Sequence, residues 1–106
     1  MKPNTRRAAQ EVKPESTFYF STPFEISKIN AQSLESHLRA AVEGRYEKVE
    51  LCMRGTRLID SSGLGVLLSL RRSLDGAGSV RLREPSSTVM QVLTTTQTVS
   101  LFEIIY

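Results

Sequence analysis

Cysteine, histidine and tryptophan are nearly missing from these 106 residues, which hold one Cys, one His and no Trp. A lone thiol, Cys52, cannot close an internal disulfide, and with His37 as the single imidazole it cannot complete a zinc site. Six Gly and four Pro are too few for a collagen-like or low-complexity chain. No apolar run approaches the ~18 residues of a bilayer span, and no apolar stretch of a signal peptide opens the chain. These absences point to a cytoplasmic protein with no membrane contact, no metal and no other cofactor.

Excess charge is also scarce, since 14 Lys and Arg stand against 11 Asp and Glu for a formal charge of +3. The basic residues are spread along the chain rather than clustered, so a solvated surface accounts for them and no nucleic acid is expected as a partner. What is present is a globular composition, 40% hydrophobic and 24% charged. A chain of this length buries roughly two-thirds of its unfolded surface in one core, so one domain is expected without a staple.

Residues 1–14 carry Lys2, Arg6, Arg7 and Lys13, two prolines and few large apolar groups, which reads as a flexible basic arm with a possible edge strand at 8–12. The domain proper is expected at 15–106. Thr17-Phe18-Tyr19-Phe20 is a β-branched and aromatic run that Pro23 ends, hence a strand. Ala31, Leu34, Leu38, Ala41 and Val42 recur at helical spacing, with Asn30 as the expected N-cap and Gly44 as the stop. Residues 48–53 (KVELCM) alternate and are expected to form the central strand, continuing past Gly55 through Leu58-Ile59.

A second helix is predicted from Ser61 or Ser62 to Leu74, stopped by Asp75-Gly76-Ala77-Gly78, and Ser79 to Leu82 then reads as a short strand. Pro85-Ser86-Ser87 opens a third helix, and residues 101–105 close with a strand. Strand and helix alternate, which argues for an α/β domain with a mostly parallel, four- to five-stranded mixed sheet and three main helices packed against it.

One segment stands out. At Asp60-Ser61-Ser62-Gly63-Leu64-Gly65 a strand end passes directly into a helix, leaving two hydroxyls where unpaired backbone N–H groups and the positive dipole end collect. A phosphate added there would gain hydrogen bonds. Gly63 and Gly65 cost about 1 kcal/mol each in helix propensity and leave the first turn bare, so another molecule could approach closely. Leu64 is a candidate apolar anchor. The bland reading is that Asp60 or Ser61 caps the helix and the glycines ease packing.

The longer run Asp-Ser-Ser-Gly-Leu-Gly-Val-Leu-Leu after a strand closely resembles the phosphorylation motif of bacterial anti-anti-sigma factors, the stand-alone members of the STAS domain family. The likeness extends to the strand and helix order from Thr17 to Tyr106. It implies a STAS-like single domain acting as an anti-sigma factor antagonist, with Ser61 as phosphoacceptor and Ser62 as runner-up. The resemblance further implies a partner switch: the unphosphorylated form binds an anti-sigma factor that is also a serine kinase, phosphorylation ends the binding, and a serine/threonine phosphatase resets it. Asp60 to Gly65 would form the contact surface together with Ser27, Lys28 and Asn30 before the first helix. The sequence departs from the family there, reading Pro23-Phe24-Glu25-Ile26-Ser27 in place of the usual Gly-x-Leu/Ile-Asp.

Enzyme readings find no support. Neither serine has a glycine two residues ahead of it, as a hydrolase elbow requires, and there is no phosphate loop or kinase signature. No catalytic residue is therefore expected. His37 reads as a solvated or half-buried residue, Cys52 as a small buried side chain and Thr94-Thr95-Thr96 as a fraying helix end. The competing function is a constitutive STAS-type scaffold subunit of a lipid-transport or secretion complex, with the serines serving only as caps.

Overall fold

The computed structural model describes residues 16–44, 46–74 and 79–106. The basic arm, its candidate edge strand and the expected stop at 75–78 lie outside the described residues. In chain order the elements are β1 (Thr17–Ser21), β2 (Glu25–Ile26), α1 (Ala31–Glu43), β3 (Lys48–Cys52), β4 (Leu58–Ile59), α2 (Ser61–Ser73), β5 (Val80–Arg83), α3 (Ser87–Thr95), a 3-10 turn (Val99–Leu101) and β6 (Glu103–Ile105).

Four strands form one sheet in the order β1-β3-β5-β6, and every pairing among the described residues is parallel. Successive side chains of a strand point to opposite faces, so register sorts the rows. Phe20, Leu51, Leu82 and Ile104 lie side by side, as do Phe18, Val49 and Val80. These rows join Leu34, Leu38 and Ala41 of α1, Leu64, Val66, Leu67 and Leu70 of α2, and Val89 and Leu93 of α3 in one buried core. The helix faces follow from apolar spacing of three and four residues.

The alternate row, Tyr19, Glu50, Arg81 and Glu103, is polar. Glu50 is nevertheless only 5% exposed. Arg81 donates to Glu50 and to Glu103, and Arg83 donates to the other Glu50 oxygen. The Arg83 hydrogen bond, opposed by burial and helped by Arg81, holds the Glu50 carboxyl below the usual carboxylate range.

Several local expectations need correcting. The central strand does not run on through Leu58-Ile59. The chain turns after Met53, where the Thr56 amide donates to the Met53 carbonyl, and the Thr56 hydroxyl donates to the Pro23 carbonyl. That tie steers Leu58-Ile59 into a separate parallel ladder with Glu25-Ile26. The first strand's continuation, β2, was not legible at two residues. The last strand is limited to Glu103–Ile105, because Leu101 belongs to the 3-10 turn.

Three smaller features have equally local causes. The threonine run ends in a hydrogen-bonded turn: Gln97 adopts φ 60°, the Thr98 amide donates to Leu93 and the Gln97 amide to Thr94, and the Thr96 hydroxyl donates to Val92, so these last carbonyls are satisfied. Helix α1 ends at Gly44 as expected, with an ordinary negative φ; there a side chain would meet the Tyr46 ring at 2.8 Å. Cys52 is half-buried rather than buried, because it sits on the polar side of β3.

Candidate partner-binding site

Helix α2 begins where β4 ends, and Asp60 between them has an extended backbone. Its carboxylate does two things at once. One oxygen accepts from the Gly63 amide at 2.9 Å, capping the helix, and the other accepts from the Lys28 amide at 3.0 Å. The first bond answers an N–H group that the first turn leaves without a partner. The second latches the loop before α1 onto the start of α2. Those two amides, Gly63's first, hold the Asp60 carboxyl below its usual range.

The serines are therefore relieved of capping. Ser61, the first residue of α2, is exposed, whereas Ser62 is half-buried. The two glycines differ in kind. A Cβ on Gly63 would collide with the Ile26 carbonyl group, so this glycine is required by the approach of α2 to β2. A Cβ on Gly65 would meet nothing within 4 Å, and Gly65 faces solvent. Internal packing gives no reason for Gly65. Leu64, a candidate apolar anchor on the condition that its side chain is exposed, is 8% exposed and belongs to the core.

The loop at 27–30 is held by its own network. Ser27 is buried; its hydroxyl donates to the Glu25 carboxylate and accepts from the Ile29 amide. Asn30 does not cap α1 with its side chain. Its Oδ1 accepts from the Ser27 amide, and its Nδ2 donates to the Glu25 carbonyl. The residue expected to start a helix thus closes the turn that presents Lys28 and Ile29. Ser27, Lys28 and Asn30 and the segment from Asp60 to Gly65, far apart in sequence, are joined through the Asp60 latch.

Sequence reasoning missed two residues of this surface. Ile29 is 84% exposed and Leu58 50% exposed, both unusual for aliphatic side chains, and neither breaks any periodicity that would have marked it. Glu25, which orients Ser27, was also missed. Among the described residues there is no group of three or more His, Cys, Asp or Glu side chains placed to hold a metal. No helix among them is long and apolar enough to cross a membrane.

The family model of the STAS domain matches residues 8–106. The chain belongs to the STAS domain family. Two solved structures share this STAS fold with a TM-score of 0.72. One is a Thermotoga maritima protein assigned as an anti-sigma factor antagonist, at 23% identity over 82% of this chain and 77% of that one. The other is the anti-sigma factor antagonist SpoIIAA in its unphosphorylated form, at 22% identity over 86% and 81%. A sulfate transporter family protein from Wolinella succinogenes also matches, with a TM-score of 0.62 and 14% identity over 92% and 83%. No curated protein matches in sequence. At these identities the likeness is one of fold.

Proposed function

We propose that this STAS domain is a phosphorylation-controlled anti-sigma factor antagonist, whose unphosphorylated form binds an anti-sigma factor that is also a serine kinase. Ser61 is the phosphoacceptor, and a serine/threonine phosphatase restores the binding form. The observation that carries the reading is the exposed Ser61 on a first turn already capped by Asp60, one turn from the uncrowded Gly65. A serine needed only as a cap would not be duplicated by an aspartate that takes the Gly63 amide. Ser62, half-buried, is the poorer acceptor.

Phosphorylation adds roughly 1.5 to 2 negative charges beside Asp60. The helix N-terminus offers the anion partial compensation within the fold, while burial in an interface removes the water that otherwise solvates it. Folding should therefore survive and affinity should fall. Ser61→Asp is expected to melt within a few degrees of the parent, and to bind the cognate kinase at least ~10-fold more weakly, a loss of about 1.4 kcal/mol. Ser61→Ala is expected to bind and to accept no phosphate. Phosphosite mapping with calorimetric titration tests this. Equal affinities for parent and Ser61→Asp, or phosphate found only on the Thr94 to Thr96 run, would overturn the reading.

A further inference from the structure

Two buried hydroxyls join the segments from which both halves of the site hang. Thr22 and Thr56 are 7% and 0% exposed, and their Oγ1 atoms lie 2.6 Å apart. The Thr56 hydroxyl donates to the Pro23 carbonyl at 2.6 Å; that of Thr22 lies 3.2 Å from the Cys52 carbonyl, which also accepts the Thr22 amide. A hydroxyl has one proton, and a carbonyl oxygen only accepts. Thr56 therefore gives its proton to Pro23, and the Thr22 proton serves the short contact and Cys52. Buried hydroxyls need such partners, so the pair closes only when the ends of β1 and β3 and the turn at 53–56 meet in one arrangement.

This clasp precedes the site on two branches of the chain. From Pro23 the chain runs through β2 to the loop at 27–30, and from Thr56 it runs through β4 to Asp60 and Ser61. Beyond the clasp the branches are joined by the Phe24 carbonyl, which accepts from the Arg57 and Leu58 amides, and by a ladder of two residues a side. In so short a ladder register is set by what anchors its ends, and a slip by one residue moves a strand about 3.3 Å and turns its side chains to the other face. Such a slip would break the 3.0 Å bond from the Lys28 amide to Asp60 and carry Gly63 away from the Ile26 carbonyl group that it is shaped to meet.

We propose that Thr22 and Thr56 are positioning residues of the phosphoacceptor site, setting the register of β4 on β2 and with it the placement of Ser61 and Asp60 against the loop at 27–30. The inference rests on the reading of Ser61 as phosphoacceptor, and it adds the residues that present this serine to the kinase. Both threonines are buried and act through the two strands.

The test measures residue-resolved amide exchange and the initial rate of Ser61 phosphorylation, the latter with labelled ATP and an extract of the chain's own cells. Thr56→Val removes the hydroxyl and keeps the shape of the side chain. It should speed exchange at the Lys28 and Leu58 amides and slow phosphorylation, each at least ~10-fold, and Thr56→Ser, which keeps the hydroxyl, should restore both toward the parent. Val80→Ala, at a fully buried position in β5, controls for lost stability alone. Exchange should then quicken at core amides such as Val49 and Met53, with Lys28, Leu58 and the phosphorylation rate unchanged. If Thr56→Val does not fold, Thr22→Val, which leaves the bond to Pro23 in place, should show the same changes at least ~3-fold. Site amides unchanged in the valine variant, a serine variant no better than valine, equal quickening of Lys28 and Leu58 in Val80→Ala, or faster exchange with an unaltered phosphorylation rate would each overturn the proposal. An extract that leaves Ser61 of the parent unphosphorylated sinks the phosphoacceptor reading instead, and amide exchange then decides the clasp by itself.

Discussion

Helices α2 and α3 both start with a serine one residue after a side-chain cap, yet the two starts are tied into the fold differently. At α3 the Ser86 hydroxyl accepts from the Val89 amide at 3.3 Å, and the cap ends there. At α2 the Asp60 carboxylate caps and also reaches Lys28, thirty-two positions away in the chain. The first turn of α3 continues at once into the buried Val89. That of α2 holds an exposed Ser61, a glycine locked against Ile26 and a glycine facing water. Both starts hold an exposed serine just after the cap, Ser61 in α2 and Ser87 in α3, so the additions at α2 are the second carboxylate oxygen that reaches Lys28 and the unpacked glycine.

Replacing Gly63 should break this comparison most severely. Gly63→Ala drives a methyl into the Ile26 carbonyl group, and relief requires α2 to move from β2. A loss of about 3 kcal/mol or more by chemical denaturation is expected. An unaffected midpoint would mean that α2 and β2 do not approach so closely.

Leu51→Ala tests the shared core beneath both helices. Leu51 is fully buried, so a cost of about 2 to 5 kcal/mol is expected by the same measurement.

The caps themselves come next. Ser86→Ala should cost about 1 kcal/mol and leave distant amides unchanged. Asp60→Ala should lower the melting temperature further, and it should speed hydrogen exchange at Lys28 as well as Gly63. The Asp60 carboxyl titrates lower in the folded chain than in the unfolded one. Its contribution is therefore fully present above the unfolded value and lost as pH falls through the folded one. Melting curves of parent and Asp60→Ala should converge at acid pH, and a constant gap down to pH 2 would contradict the double role.

Gly65→Ala should have the smallest effect on the fold and the opposite sign. With no neighbour within 4 Å, the methyl adds helix propensity, for a gain of up to about 1 kcal/mol. Partner binding should weaken at the same time. A gain in stability with undiminished binding would show that Gly65 is not a contact.

Much of this was legible because the relevant forces are local. The alternation of Val49 and Leu51, the three- and four-residue spacing of Leu34, Leu38 and Ala41, and the Asp-Ser-Ser-Gly start of α2 each act within a few residues. The order of strands and helices followed from them. Misread features depended on distant partners. Leu58-Ile59 carries the same apolar character whether it extends β3 or pairs with β2, and only the Thr56 bond to Pro23 chooses. Asn30 reads as a cap until Glu25 and Ser27 engage both ends of its amide.

The motif at Ser61 shows the same division. Its residue types and spacing set, by themselves, a helix start capped by Asp60 or Ser61, because capping is a matter of three or four successive residues; the structure gives the cap to Asp60. Which glycine serves packing, that Leu64 turns inward, and that the Lys28 amide is tied to the second oxygen of Asp60 were decided by the tertiary structure. Burial and neighbourhood are properties of chain segments brought together from afar, and no window of sequence contains both sides of such a contact.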